Sequence, residues 1–214
     1  MLLLSKENVK KKELYMKKFL SLILCAVLAA GTLCACDSDE DVAMEDLPYG
    51  ATMRQLNDTD IDICFDGRYF TDDEMRVVSD YYYSLQTKDE QLFASTQSEQ
   101  YIKYIEKNSG KYVGDFMKEI SDKTEASLGE NYKYTYIEAV ACGDRTDDLQ
   151  IDEITSLMDS IYEENGSDTT FKETITSAKY AVLDFMAETN GESYTYTDQV
   201  VYIFTCTDGI YIFV

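Results

Sequence analysis

Two long runs of strand-forming residues, Ile175 to Glu188 and Tyr194 to Cys206, flank Asn190-Gly191. That dipeptide readily takes the positive φ angles of a two-residue turn, so the segment predicts a long β-hairpin. An isolated hairpin is marginal in water, which commits the chain to a larger sheet with a covered face. Asp208-Gly209 turns into a further run, Ile210 to Val214. Upstream, Tyr132 to Cys142 reads as a strand rich in Tyr and β-branched residues, broken by Gly143-Asp144. Ile61, Ile63 and Phe65 alternate with Asp60, Asp62, Cys64 and Asp66, the period of a half-buried strand.

Thr71-x-x-Glu74 is a capping box, and it opens a helix through Val77, Val78, Tyr81, Tyr82 and Leu85. Thr87-x-x-Glu90 reads as a second box, followed by Leu92 and Phe93 and, after Ser98, by Tyr101, Ile102, Tyr104 and Ile105. Asn108-Ser109-Gly110 stops that stretch. Val113, Phe116, Met117 and Ile120 give a third helix ending near Gly129, and Ile151, Ile154, Leu157, Met158 and Ile161 a fourth, closed by Asn165-Gly166. Helices first and long strands after them predict an α+β domain, with N-terminal helices packed on one face of a curved antiparallel sheet.

The first residues belong to no fold. Met16-Lys17-Lys18, an apolar stretch from Phe19 to Leu33 and a small-residue end make a secretory signal, shorter than the roughly 20 residues of a membrane span. Residues 1–35 are read as this signal, with translation starting at Met16. Leu33-Cys34-Ala35-Cys36 resembles the lipobox of bacterial lipoproteins. The resemblance implies cleavage after Ala35 and lipidation of the Cys36 thiol, anchoring the protein on the extracytoplasmic face of the cell membrane. Cys34 and an ordinary signal peptide are the competing readings. Asp37 to Asp46 holds six acids in ten residues, so residues 36–47 are a tether and residues 48–214 a single domain.

The chain carries 19 basic and 41 acidic side chains. Setting aside the six lysines and two glutamates of residues 1–36 leaves 13 against 39, a formal charge of −26. Such a balance repels nucleic acid and anionic lipid alike, so the membrane partnership rests on the lipid. Histidine is absent, which removes Ser-His-Asp and Cys-His catalysis. Beyond Cys36, the downstream thiols Cys64, Cys142 and Cys206 allow at most one internal disulfide. Cys142 with Cys206 is the pair the strands favour, and three buried thiols are the alternative. Asp58-x-Asp60-x-Asp62 starts like a calcium loop, but Ile63 stands where Gly belongs and Tyr69 where the bidentate Glu belongs. Asp144, Asp147 and Asp148 are spaced too irregularly for one. No phosphate loop, nucleophile elbow or dinucleotide fingerprint occurs, so no cofactor, metal or catalytic residue is assigned.

At Tyr81-x-x-x-Leu85-x-x-x-Asp89-x-x-Leu92-Phe93 the chain resembles the opening helices of the nuclear-transport-factor-2-like (SnoaL-like) superfamily. The resemblance implies a cone-like fold and places Tyr81 where some isomerases of that superfamily hold an oxyanion-binding tyrosine. On the strands, Tyr132, Tyr134, Tyr136 and Glu138, then Tyr180, Val182 and Asp184, then Tyr194, Tyr196, Asp198 and Tyr202 fall on even positions. If these sides coincide, one face carries tyrosines with Glu138, Asp184 and Asp198. That face either binds a sugar, an amine or a peptide or is a Tyr-rich solvent face. The candidate pocket is therefore Tyr81, Tyr136, Glu138, Asp184 and Tyr202. The expected function is a membrane-anchored ligand-binding or interaction module. The alternatives are a cone-fold isomerase or hydro-lyase and an envelope assembly factor.

Overall fold

The structure is a computed structural model that describes residues 51–56, 59–144 and 148–214. The signal with Met16, Cys34 and Cys36, the acidic tether, Asp58 and Asp147 lie outside the described residues. Strands β1 (Ala51–Arg54) and β2 (Asp62–Asp66) come first. Four helices follow: α1 (Asp72–Thr87), α2 (Glu90–Ser95), α3 (Glu99–Ser109) and α4 (Val113–Leu128). After β3 (Lys133–Asp144) come α5 (Gln150–Glu164) and the single turn α6 (Phe171–Thr174). Strands β4 (Ile175–Thr189), β5 (Glu192–Cys206) and β6 (Ile210–Phe213) end the order.

All six strands form one sheet in sequence order, antiparallel except for the β2–β3 pair, which is parallel. The class is α+β, but two parts of the sequence reading are corrected. Helices do not precede the sheet, because β1 and β2 lie ahead of α1 and pair with the later strands. Nor do they cover one face only. On β5, Val201 and Ile203 enter a core shared with α1 and α4, while Phe204 and Cys206 enter a second core with Tyr101, Ile154, Met158 and Phe171. Alternate side chains of a strand point to opposite faces, so α3, α5 and α6 lie across the sheet from α1 and α4.

Local chemistry sets the helix ends. The Thr71 hydroxyl accepts from Glu74 N–H at 3.2 Å, and Glu74 Oε2 accepts from Thr71 N–H at 2.9 Å, the capping box read from the sequence. The second box fails. Thr87 is still helical and its hydroxyl donates to the Tyr83 carbonyl, so Asp89 caps α2 instead, accepting from Leu92 N–H at 3.0 Å. Gly110, with φ of 67°, ends α3 in the left-handed conformation that glycine takes at no steric cost. Asn190 and Gly191 have φ of 54° and 81°, the turn that their dipeptide favours. Gly143 does not break β3. It faces Tyr180 across the β3–β4 pair, where a Cβ would stand 2.5 Å from the ring.

Candidate functional site

The face alignment read from even positions does not survive the bulges. β3 shifts register between Tyr134 and Tyr136, and the β4–β5 pair shifts between Leu183 and Phe185. Each extra residue exchanges the two faces. Tyr132 and Tyr134 therefore enter the core beneath α1 and α4, and Tyr196 packs partly against it. Tyr194, opposite Ala187 of that core, shares its side. Tyr136, Glu138 and Asp184 stay together on the other face, while Tyr81 and Tyr202 meet elsewhere.

On that other face the Tyr136 hydroxyl donates to Glu138 Oε2 at 3.3 Å, and Glu138 stands opposite Asp184 in the ladder. Burial, together with the nearby Asp184, raises the Glu138 carboxyl above its ordinary value against the pull of the Tyr136 hydroxyl. Asp184 Oδ1 accepts the Asp198 N–H at 2.9 Å, and Asp198 has a φ of 60°. This side-chain acceptor satisfies a backbone donor that the bulge takes out of the ladder. Asp184 thus serves the bulge, Asp198 accepts from the Thr197 hydroxyl within it, and Glu138 is engaged by the Tyr136 hydroxyl. Among the described residues no group of three or more potential ligands is arranged to hold a metal ion.

Tyr81 and Tyr202 line a cavity of about 50 Å³ at the end of β6, where the two cores run together. Phe93, Tyr101, Phe116, Ile120, Ile154, Ile212 and Phe213 complete most of its wall. Tyr81 packs edge-on to Tyr82 at 5.1 Å and against Phe93 at 5.7 Å, and burial pushes its hydroxyl far above the ordinary tyrosine value. Tyr202 donates to Asp148 Oδ2 at 3.0 Å, which ties β5 to the segment entering α5.

Among the described residues no Asp or Glu side chain lines the cavity. Proton abstraction needs a base within roughly 3 Å of the reacting atom, and among the described residues no acidic side chain joins Tyr81 in the wall. The volume also decides something. Space of this size takes a few waters or one small side-chain group, well below the roughly 300–1,000 Å³ of metabolite pockets.

The polar lining residue Gln97 is already engaged. Its amide donates to Thr96 Oγ1 at 3.1 Å and to the Ile212 carbonyl at 3.3 Å, while Ile212 N–H donates to the Thr96 carbonyl at 3.0 Å. The link between α2 and α3 thereby closes the outer edge of β6. Sequence reasoning did not find Gln97, and it weighed Asp148 only as an irregularly spaced acid, not as the partner of Tyr202. Each acts through a partner more than 50 residues away, and nothing local announces it.

Cys64, Cys142 and Cys206 are not disulfide-linked, so of the two readings the Cys142–Cys206 bridge gives way to three reduced thiols. Strand β4 lies between β3 and β5, which puts the two cysteines at least two strand spacings, about 9–10 Å, apart. A disulfide needs Cα atoms within about 7 Å. Cys142 also packs against one core while Cys206 belongs to the other.

No helix among the described residues is long and apolar enough to cross a membrane. Compared with protein-family models, with curated proteins and with solved structures, the chain matches none.

Proposed function

We propose that this protein is an extracytoplasmic lipoprotein, held at the cell membrane by acyl chains on Cys36, whose domain is an interaction module rather than a metabolic enzyme. The observation that carries the reading is the small apolar cavity at the end of β6, with no Asp or Glu side chain of the described residues in its wall. It suits one apolar side chain of a partner better than a whole substrate. The lipobox-like segment Leu33-Cys34-Ala35-Cys36 supports the anchor, and a net charge of −26 beyond it leaves the lipid as the only attraction to an anionic membrane. The bulges in β3 and in the β4–β5 pair are the places where the sheet would curve into a cone, and with the Tyr81 to Phe93 motif they support the superfamily resemblance.

Two measurements test this. Metabolic labelling with a radioactive fatty acid should mark the native chain and leave Cys36→Ser unlabelled and unprocessed. Labelling that persists in the variant overturns the anchor at Cys36. Thermal shifts of the full chain in detergent, screened against sugars, amines and short peptides, should show stabilisation by peptides alone. Stabilisation by a sugar or an amine, with none by peptides, would replace the interaction module with a small-molecule site.

A further inference from the structure

The two outermost strands are defended, and one long inner strand is not. β1 is four residues long and carries Arg54, and β6 is four residues long with Ile212 closed off by Thr96 and Gln97. Short edges, basic side chains and covering loops are the devices by which sheets avoid pairing with other chains. β5 behaves differently. It pairs with β4 along its length, from Glu192 to Cys206, but with β6 only from Tyr202 to Thr205. Among the described residues nothing pairs with the other side of Glu192 to Val200. The bulge over Thr197 and Asp198 interrupts this edge: Glu192 to Tyr196 pair regularly with β4 and Thr197 opens the bulge, so the stretch from Glu192 to Thr197 spans six residues or about 20 Å.

The chemistry of this stretch is one-sided. Its sequence, Glu-Ser-Tyr-Thr-Tyr-Thr, has high strand propensity and no proline. Lys179 is the last basic residue of the chain, and Asp184, Glu188, Glu192, Asp198 and Asp208 follow it. No lysine or arginine therefore lies on β5 itself. Glu192, Thr195, Thr197 and Asp198 are exposed along it, and the Tyr194 hydroxyl is tied to Glu192 at 2.5 Å. A strand seated here gains main-chain hydrogen bonds whatever its sequence, while the carboxylates and the tyrosine ring select cationic side chains. The overall negative charge steers such a segment in and opposes a second copy of this acidic chain.

We infer that the open edge of β5, Glu192 to Thr197, takes an extended cationic segment of a partner protein by β-strand addition. This rests on reading the domain as an interaction module, and it names the surface and the class of partner.

The test uses the full chain in detergent micelles and the acetylated, amidated hexapeptide Lys-Thr-Lys-Val-Lys-Thr as probe. Fluorescence anisotropy should show saturable binding that weakens with added salt, and amide hydrogen exchange should slow within residues 192–197. Binding should fall about ten-fold or more with the alternate amides of the peptide N-methylated, with glutamate in place of its lysines, and in Thr195→Lys. Thr195 is exposed, so that variant leaves the fold intact. Absence of binding, or binding indifferent to N-methylation, overturns the proposal. Protection near Gln97 and Phe213 instead of β5 also overturns it, yet leaves the interaction-module reading standing. Concentration-dependent protection of 192–197 without peptide would assign the edge to a second copy and overturn the cationic partner.

Discussion

Lys179 Nζ lies 3.0 Å from each carboxylate oxygen of Glu74, joining the first turn of α1 to β4. Thr205 of β5 donates to Glu74 Oε1 at 3.0 Å, and Lys179 also donates to the Tyr69 carbonyl at 2.8 Å. One carboxylate thus serves as a helix cap and as the link between α1 and two strands. Its side chain is only 4% exposed, which makes an unpaired charge there costly. Lys179→Met should destabilise the protein by about 3 kcal/mol in urea unfolding. Adding Glu74→Gln, which keeps the capping box, should recover more than half of that loss. A double variant no better than the single would show that the charge is not the cause.

The same carboxyl sets part of the acid limb of stability. Burial works to raise its pKa, but the Thr71 N–H, Lys179 and the Thr205 hydroxyl outweigh burial and hold it below its ordinary value. A carboxyl depressed in the folded state contributes stability above its unfolded pKa and loses it as pH falls through the folded one. The urea midpoint of the native chain should fall between about pH 5 and pH 3 more steeply than that of Glu74→Gln. Parallel acid limbs would refute the assignment.

Glu138 works in the opposite sense. Its folded carboxyl is raised, by burial first, so the stability it permits is complete at low pH and declines as the group ionises opposite Asp184. Glu138→Gln should stabilise the protein near neutral pH by about 0.5–1 kcal/mol and change nothing once carboxylates are protonated. A loss of stability at neutral pH would mean that its bond from Tyr136 outweighs the like-charge contact.

The described thiols offer a chemical check. Burial pushes the Cys206 thiol up to about 11, and Cys64 is raised by burial as well. Alkylation followed by mass spectrometry should find Cys64, Cys142 and Cys206 all reduced in air-exposed protein. Cys64 and Cys206 should react slowly until denaturant is added. Recovery of a linked Cys142–Cys206 peptide would contradict the strand order.

Gln97→Leu would strip the Ile212 carbonyl of its side-chain donor at a buried sheet edge. A loss of about 1–3 kcal/mol is expected, with faster amide exchange in β6. Unchanged exchange at Ile212 would show that Thr96 alone closes the edge.

How much of this was legible depended on range. Thr71 with Glu74, Gly110, Asn165-Gly166 and Asn190-Gly191 act within four residues of themselves, and the helices and the hairpin they bound stand where the sequence puts them. The box at Thr87 misled because Asp89, two residues on, is an equally good cap and α1 had not yet ended. β1 and α6 are four residues each, too short for any period to show.

The candidate site was legible in its parts and not in its assembly. Period two assigns each strand residue a side only until a bulge, and the register shifts in β3 and between β4 and β5 sent Tyr134 and Tyr136, or Tyr196 and Tyr202, to opposite faces. The sequence by itself determined the longer helices, the hairpin, the acidity and the lack of histidine chemistry, because each is a property of neighbours or of composition. Only the tertiary structure decided that β2 runs parallel to β3, that helices cover both faces, that Lys179 meets Glu74, and that no described strand pairs with the outer side of Glu192 to Val200. Those outcomes depend on which distant segments pair, and that is settled by burying two cores at once.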